Sequence, residues 1–232
     1  MWPDRLLAAL AVAACLAGAA SAGADTRIAA ADTYVSSKNA DTNYGNQTTS
    51  EVGREMAGMS PNVLRSLLHF DLTGLPLPAD IQHATLRLYI NSTSADPLGL
   101  ALALNLLAAP FDENTVTWNT QPAVLPSPTV NGTMDTPPGA WFAIDVTDLV
   151  RAARAGVFPD DFFLRIAAVD ESTNDDQNFT FLTREDGAQT APQLVVATAQ
   201  PAPVLSGPMT VLTLLSLIGV AIAALRRAPS LA

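Results

Sequence analysis

Leu64-Arg65-Ser66-Leu67-Leu68-His69-Phe70-Asp71-Leu72, followed by Ala84-Thr85-Leu86-Arg87-Leu88-Tyr89-Ile90, decides the fold. In both stretches the side chains alternate with period two, the signature of a strand with one buried face. Leu64, Ser66, Leu68, Phe70 and Leu72 fall on one face, and Arg65, Leu67, His69 and Asp71 on the other. Leu86, Leu88 and Ile90 alternate with Thr85, Arg87 and Tyr89, and Gly74 to Pro78 supply the connection. This predicts adjacent strands on which Arg65 and Arg87 point away from the leucines onto one sheet surface, with Tyr89 nearby.

Outward from this pair, short alternating runs recur between Gly, Pro, Asn and Asp clusters: Ile28 to Val35, Leu100 to Leu107, Thr115 to Trp118, Trp141 to Val146, Phe162 to Val169, Phe179 to Thr183 and Gln193 to Thr198. The pattern predicts an all-β fold, a two-sheet antiparallel sandwich of jelly-roll type. One short helix is expected, capped by Thr147 or Asp148, running through Leu149, Val150 and Ala153 and ending at Gly156. Trp118 and Trp141, each inside an alternating motif, are expected in the core.

The two ends have a different character. Met1 to Arg5, the apolar run Leu6 to Gly18 and the small residues Ala20-Ser21-Ala22 read as a signal peptide, residues 1–22, cleaved between Ala22 and Gly23. Val12-Ala13-Ala14-Cys15 offers a second reading, a lipobox with a lipidated Cys15. Residues 23–200 form the domain, and Pro201, Pro203 and Pro208 mark residues 201–208 as a linker. In the tail, residues 209–232, the seventeen uncharged residues Met209 to Leu225 can span a bilayer as a helix of about 26 Å. Arg226 and Arg227 would then stay cytoplasmic, with the domain outside.

The chain carries 22 acidic and 12 basic residues, and removing Asp4, Arg5, Arg226 and Arg227 leaves 21 against 9. Nucleic acid needs a basic surface and is excluded as a partner. The only cysteine is Cys15, so the domain has no disulfide, no thiol nucleophile and no cysteine-ligated zinc.

No catalytic group emerges. His69 and His83 are the only histidines, and no serine lies in a G-x-S-x-G elbow. His69 shares a strand face with Arg65 and Asp71, which predicts a polar cross-strand cluster. Asp112-Glu113 and Arg184-Glu185 read as turn capping and ion pairing, since spacing alone cannot single out a glycosidase carboxylate pair. Asp170-Glu171 with Asn174, Asp175 and Asp176 makes an oxygen-rich loop suited in ligand type to calcium, without the EF-hand order, and is read as solvated rather than metal-bound. No cofactor is expected. The Asn-x-Thr sequons at Asn46, Asn91, Asn131 and Asn178 read as surface turns.

An ordered series carries a resemblance. Asp32-Thr33-Tyr34-Val35, Thr42-Asn43-Tyr44-Gly45, Arg65 to Leu72 and Ala84 to Tyr89 are followed by Phe111-Asp112-Glu113, Thr115 to Asn119, Trp141 to Thr147, Arg184-Glu185 and Ala191 to Val196. The series resembles the DNRLRE domain family over nearly all of Gly23 to Thr198. The resemblance implies a β-sandwich of secreted and cell-surface proteins, including polysaccharide lyases, that acts as a non-catalytic module binding carbohydrate, with acidic polysaccharides among its ligands. Tyr44, Arg65, Arg87, Tyr89 and Arg184 are the candidate sugar-binding residues, because planar faces and forked donors suit hydroxyls and carboxylates. The tail, with Pro203-Val204-Leu205-Ser206 before the apolar run and Arg226-Arg227 after it, resembles IPTL-type sorting signals. That implies recognition and cutting by an exosortase-like membrane protease, with a permanent membrane anchor as the alternative. The expected location is extracytoplasmic, in the cell envelope or released. A structural envelope protein that binds no sugar is the other functional reading, and an uncharacterised hydrolase or lyase the third.

Overall fold

The computed structural model describes residues 23–56, 58–94 and 99–199. The expected signal peptide, linker and tail lie outside the described residues. Among the described residues no helix is long and apolar enough to cross a membrane. Residues Ala22–Ala199 form one compact unit.

Among the described residues, eleven strands and one α-helix follow in the order β1 (Gly23–Ile28), β2 (Ala31–Ser36), β3 (Thr49–Glu55), β4 (Asn62–Asp71), β5 (Ile81–Thr93), β6 (Ala101–Leu107), β7 (Val124–Thr133), β8 (Trp141–Asp145), α1 (Thr147–Arg154), β9 (Asp161–Ala168), β10 (Gln177–Leu182) and β11 (Gln193–Thr198), with a 3-10 turn at Pro78–Asp80 before β5. Every pairing is antiparallel. The first half of β5 lies between β11 and β8, with β1 beyond β11. Its second half turns into the other sheet, where it pairs with β10 and the order continues through β3, β4, β9 and β6 to β7. β2 pairs β4 at Ser36↔Leu64 through Ala31↔His69, beside the short β3 pairing. The result is an antiparallel sandwich in which the thirteen-residue β5 serves both layers.

The main core lies between the layers. Leu86, Leu88 and Ile90 from β5 and Leu194 and Val196 from β11 meet Leu68 and Phe70 from β4, Phe162 and Leu164 from β9, and Phe179 and Phe181 from β10. Each of these is buried, and each contributes about 1.5–3 kcal/mol relative to exposure. α1 packs against β5, β6, β7 and β9, closing one end. Its cap comes from the strand before it: Thr147 donates its backbone N–H to Asp145 Oδ1 at 2.8 Å, while the Thr147 hydroxyl accepts the Ala84 N–H at 2.9 Å. The cap is therefore a carboxylate two residues earlier than the Thr147 or Asp148 expected, and α1 ends at Arg154, just short of Gly156.

Three expectations are corrected by long-range packing. The run Ile28 to Val35 is two strands, β1 and β2, which join different layers. Thr115 to Trp118 is turn and loop: Asp112 accepts the Asn114 N–H in an Asx turn and its carbonyl accepts Thr115 and Val116. That loop folds over the outer face of β4 and β9, so Leu67 is buried with Val35, Leu107, Val116 and Phe163 in a second small core. β4 is thus covered on both faces, and its period-two pattern marks two cores rather than core and solvent. β7 was not expected at all; Pro126 and Pro128 hide it, and an edge strand tolerates them.

Candidate functional site

The five candidate residues occupy four places. Arg65 and Arg87 do not share a surface: β10 and β3 stand between β5 and β4, and the two arginines face outward from opposite layers. A chain connection between consecutive strands does not oblige them to pair. Tyr44 stacks on Tyr34, with ring centroids 4.2 Å apart, and its hydroxyl accepts the Asn39 side-chain amide at 2.9 Å. Arg184 is bound to Glu113 and to Glu185.

Arg87 and Tyr89 do stand together, on the outer face of β5. Alternation points Leu86, Leu88 and Ile90 inward and Thr85, Arg87 and Tyr89 outward, and on the partner strand it points Phe142 inward and Trp141 outward. Tyr89 is directly opposite Trp141, edge to face with centroids 5.4 Å apart. The Arg87 guanidinium lies 4.6 Å from the Trp141 ring centroid and donates to Gln193 Oε1 at 3.3 Å. Among the described residues it has no carboxylate partner; Arg165, which donates to Asn105, has none either, whereas Arg27, Arg54, Arg65, Arg151, Arg154 and Arg184 each do. Trp141 is half-buried, so the expectation of a core position is corrected. The legible signal was Phe142 beside it: one of two neighbours on a strand must face out.

Along the same strand face the strip runs into a cleft of about 300 Å³ lined by Gln82, His83, Val130, Asp145, Thr147, Asp148 and Arg151. His83 Nδ1 lies 3.4 Å from Asp145 Oδ2. Partial burial pushes the Asp145 carboxyl up. The hydrogen bonds from the Thr147 hydroxyl and N–H, with the charges of His83 and Arg151, outweigh this and hold it below the usual carboxylate range. The strip thus offers two aromatic rings, an arginine free of acid partners, and at its end an ionised carboxylate among polar donors.

On the opposite layer Arg65 lies 4.2 Å over Trp118, half-buried and again not in the main core. Arg65 is held by Glu171 in a two-pronged pair at 2.7 and 2.6 Å and donates to Gln121 at 3.2 Å. Its donors are directed into the protein, which leaves this face less to offer a ligand.

The oxygen-rich loop is likewise tied to its own protein. Arg54 takes both Asp175 oxygens, Ser172 and Thr173 take those of Asp170, Asn178 takes Asp176, and Glu171 holds Arg65. His69 joins a cross-strand pair as expected, but with Asp161 on β9 at 2.7 Å, stacked on Phe163. Of the sequons, Asn46 lies in a turn, while Asn91, Asn131 and Asn178 lie in strands.

The motif series instead converges on a buried polar knot. Asn43 donates to the Glu113 and Val116 carbonyls at 2.7 and 2.8 Å, fixing the loop over the second core. Glu113 Oε1 accepts the Asp32 N–H at 2.8 Å, and Asp32 Oδ2 accepts the Arg184 N–H at 3.0 Å. Turn capping and ion pairing were expected of Asp112-Glu113 and Arg184-Glu185, without assigned partners; the structure pairs Arg184 with both Glu113 and Glu185 and adds Asp32 to the group. Burial, then the negative charges of Glu185 and Glu113, push the Asp32 carboxyl up to about 8 against the pull of the Arg184 N–H.

Two aromatic rings and an arginine thus stand together on the outer face of an antiparallel sandwich. The chain belongs to carbohydrate-binding module family 96, whose family model matches residues 23–198. No curated relative matches. A solved structure described as addressing the promiscuous specificity of carbohydrate-binding modules from the beta-sandwich super family is similar at 12% identity and a TM-score of 0.27. The alignment covers 79% of this chain and 57% of that one, so this chain spans little more than half of that structure's length.

Proposed function

We propose that this protein is an exported, non-catalytic surface module that binds polysaccharide through the outer face of β5 and β8, with Trp141 and Tyr89 as the stacking rings and Arg87 as the forked donor. The observation that carries the reading is Arg87, which has an aromatic partner but no acid, so its charge is available to a ligand oxygen or carboxylate. The order of the motif series supports the DNRLRE likeness over the same residues. The domain of residues 23–199 should be retained on a panel of insoluble and acidic glycans, measured by pulldown and affinity electrophoresis. Trp141→Ala should weaken retention about 10- to 100-fold, the loss of one stacking face and of the guanidinium's support. Arg87→Ala should do so by roughly 1–3 kcal/mol on carboxylated glycans. Arg65→Ala should leave affinity unchanged. Retention by no glycan, with the fold intact by circular dichroism, would leave the structural envelope protein as the better reading.

The export part of the proposal rests on the two ends. Residues 1–22 act as the leader, and the tail acts as a sorting signal cut near Pro203 to Pro208. The intact mass of the protein recovered outside the cell tests both: the expected species begins at Gly23 and lacks Arg226 and Arg227. A recovered species that keeps both arginines refutes the cleavage.

A further inference from the structure

The strip on β5 leaves the buried knot without a role. Asp32 is 1% exposed and its Oδ1 has no hydrogen-bond partner; Glu185 Oε2 has none either. Oxygen atoms of Asp32, Glu113 and Glu185 all lie within 4.8 Å of one another. Arg184 binds from one side, taking Asp32 Oδ2 with its backbone N–H, Glu113 with its guanidinium and Glu185 Oε1 at 3.2 Å. Asp32 and Glu185 are thereby each left with one buried oxygen that no donor reaches.

We propose that Asp32, Glu113 and Glu185 form a binding site for a divalent cation, and that the ion is calcium. Fully ionised, the three carboxyl groups would exceed the one guanidinium by two negative charges, the charge a divalent ion cancels. Burying such charge without compensation costs several kcal/mol per ion. The donor set is oxygen only, which selects a hard cation over zinc or copper. The carboxylates come from β2, from the loop after β6 and from the turn after β10, and are fixed by Arg184 and the Asp32 N–H in an irregular arrangement. Calcium accepts irregular oxygen sets and completes its shell with water, whereas magnesium requires a near-ideal octahedron. The ion would fasten together three segments distant in sequence, including the loop that carries Trp118 over the second core.

The domain of residues 23–199 contains both cores and is the test material. After treatment with chelator and its removal, calorimetric titration with calcium chloride should show one site. The unfolding midpoint should rise by about 5–10 °C when free calcium is a hundredfold above the dissociation constant. Asp32→Asn keeps an oxygen for the Arg184 N–H and supplies an amide to Glu185, so it should fold and lose the calcium response. Glu185→Gln should lose it too. The proposal is overturned if the stripped wild-type domain takes up no calcium at millimolar concentration, if zinc stabilises it and calcium does not, or if both variants respond as the wild type does. Glycan retention is scored separately on Trp141→Ala, so failure of the cation site and failure of the sugar-binding reading give different results.

Discussion

Alanine at Gly45 is expected to destabilise the domain by about 2–4 kcal/mol, lowering the unfolding midpoint by roughly 4–16 °C. A Cβ there would lie 2.1 Å from the Glu113 carbonyl oxygen, 2.8 Å from its carbonyl carbon and 2.9 Å from its Cγ. Two of these atoms are backbone, so no rotamer change relieves the contact. Either the Thr42 to Gly45 turn or the loop through Glu113 must recede. Receding separates Asn43 from the Glu113 and Val116 carbonyls, bonds worth about 1 kcal/mol each. It also loosens Val116 over Leu67 in the second core. Thermal melts by circular dichroism measure the loss, and tryptophan fluorescence reports the exposure of Trp118. A change below about 0.5 kcal/mol would show that the loop yields freely and that the second core contributes little.

Gly45 also shows where the sequence stops being informative. Tyr44-Gly45 is recognisable as a turn, yet nothing local says that Glu113, far along the chain, comes within contact of it. The period-two runs carried the strand content, because a half-buried strand imposes its alternation on its own residues. They did not carry strand order. β5 follows β4 in the chain but pairs with β11, β8 and β10, and this separation put Arg65 and Arg87 on different layers. The faces of β4 were misjudged for a related reason: Leu67 looked like one apolar residue on a polar face until the loop after β6 covered it.

The placement of the candidate residues was legible in part. Arg87 and Tyr89 stand where alternation put them, since facing outward on a strand is a local property. Trp141 was assigned to the core because a large aromatic residue favours burial, but it opens the short β8 with Phe142 already filling the inward position. The carboxylate knot could not be read from spacing. Asp32, Glu113 and Glu185 are ordinary acids in three separate motifs, and only folding shows that two of their oxygens lack donors.

The same knot sets the final expectation, a loss of stability as pH rises in the presence of chelator. Asp32 ionises near its ordinary value of 3.8 when unfolded and near 8 when folded, so between these values the unfolded chain has released a proton that the folded one retains. Folding takes up that proton, and its contribution to stability, complete below pH 4, declines as pH rises until Asp32 is ionised in both states above 8. Glu51, raised by burial and then by Glu55, adds to the slope with the same sign. Asp145, Asp170 and Asp175, whose carboxyls are held below the usual range, are ionised in both states across this window and add nothing to it. About three pH units of that gap, from pH 5 to about 8, fall between pH 5 and 9, which is at most about 4 kcal/mol, or roughly 8–16 °C in unfolding midpoint, less whatever structural relaxation and water entry take back. Asp32→Asn has no proton to lose there, and its slope should be the smaller one left by Glu51. Calorimetric melts of both proteins at fixed ionic strength decide the matter: a wild-type midpoint as flat as that of Asp32→Asn would mean that Asp32 is already ionised in the folded domain and that Arg184 alone balances the knot.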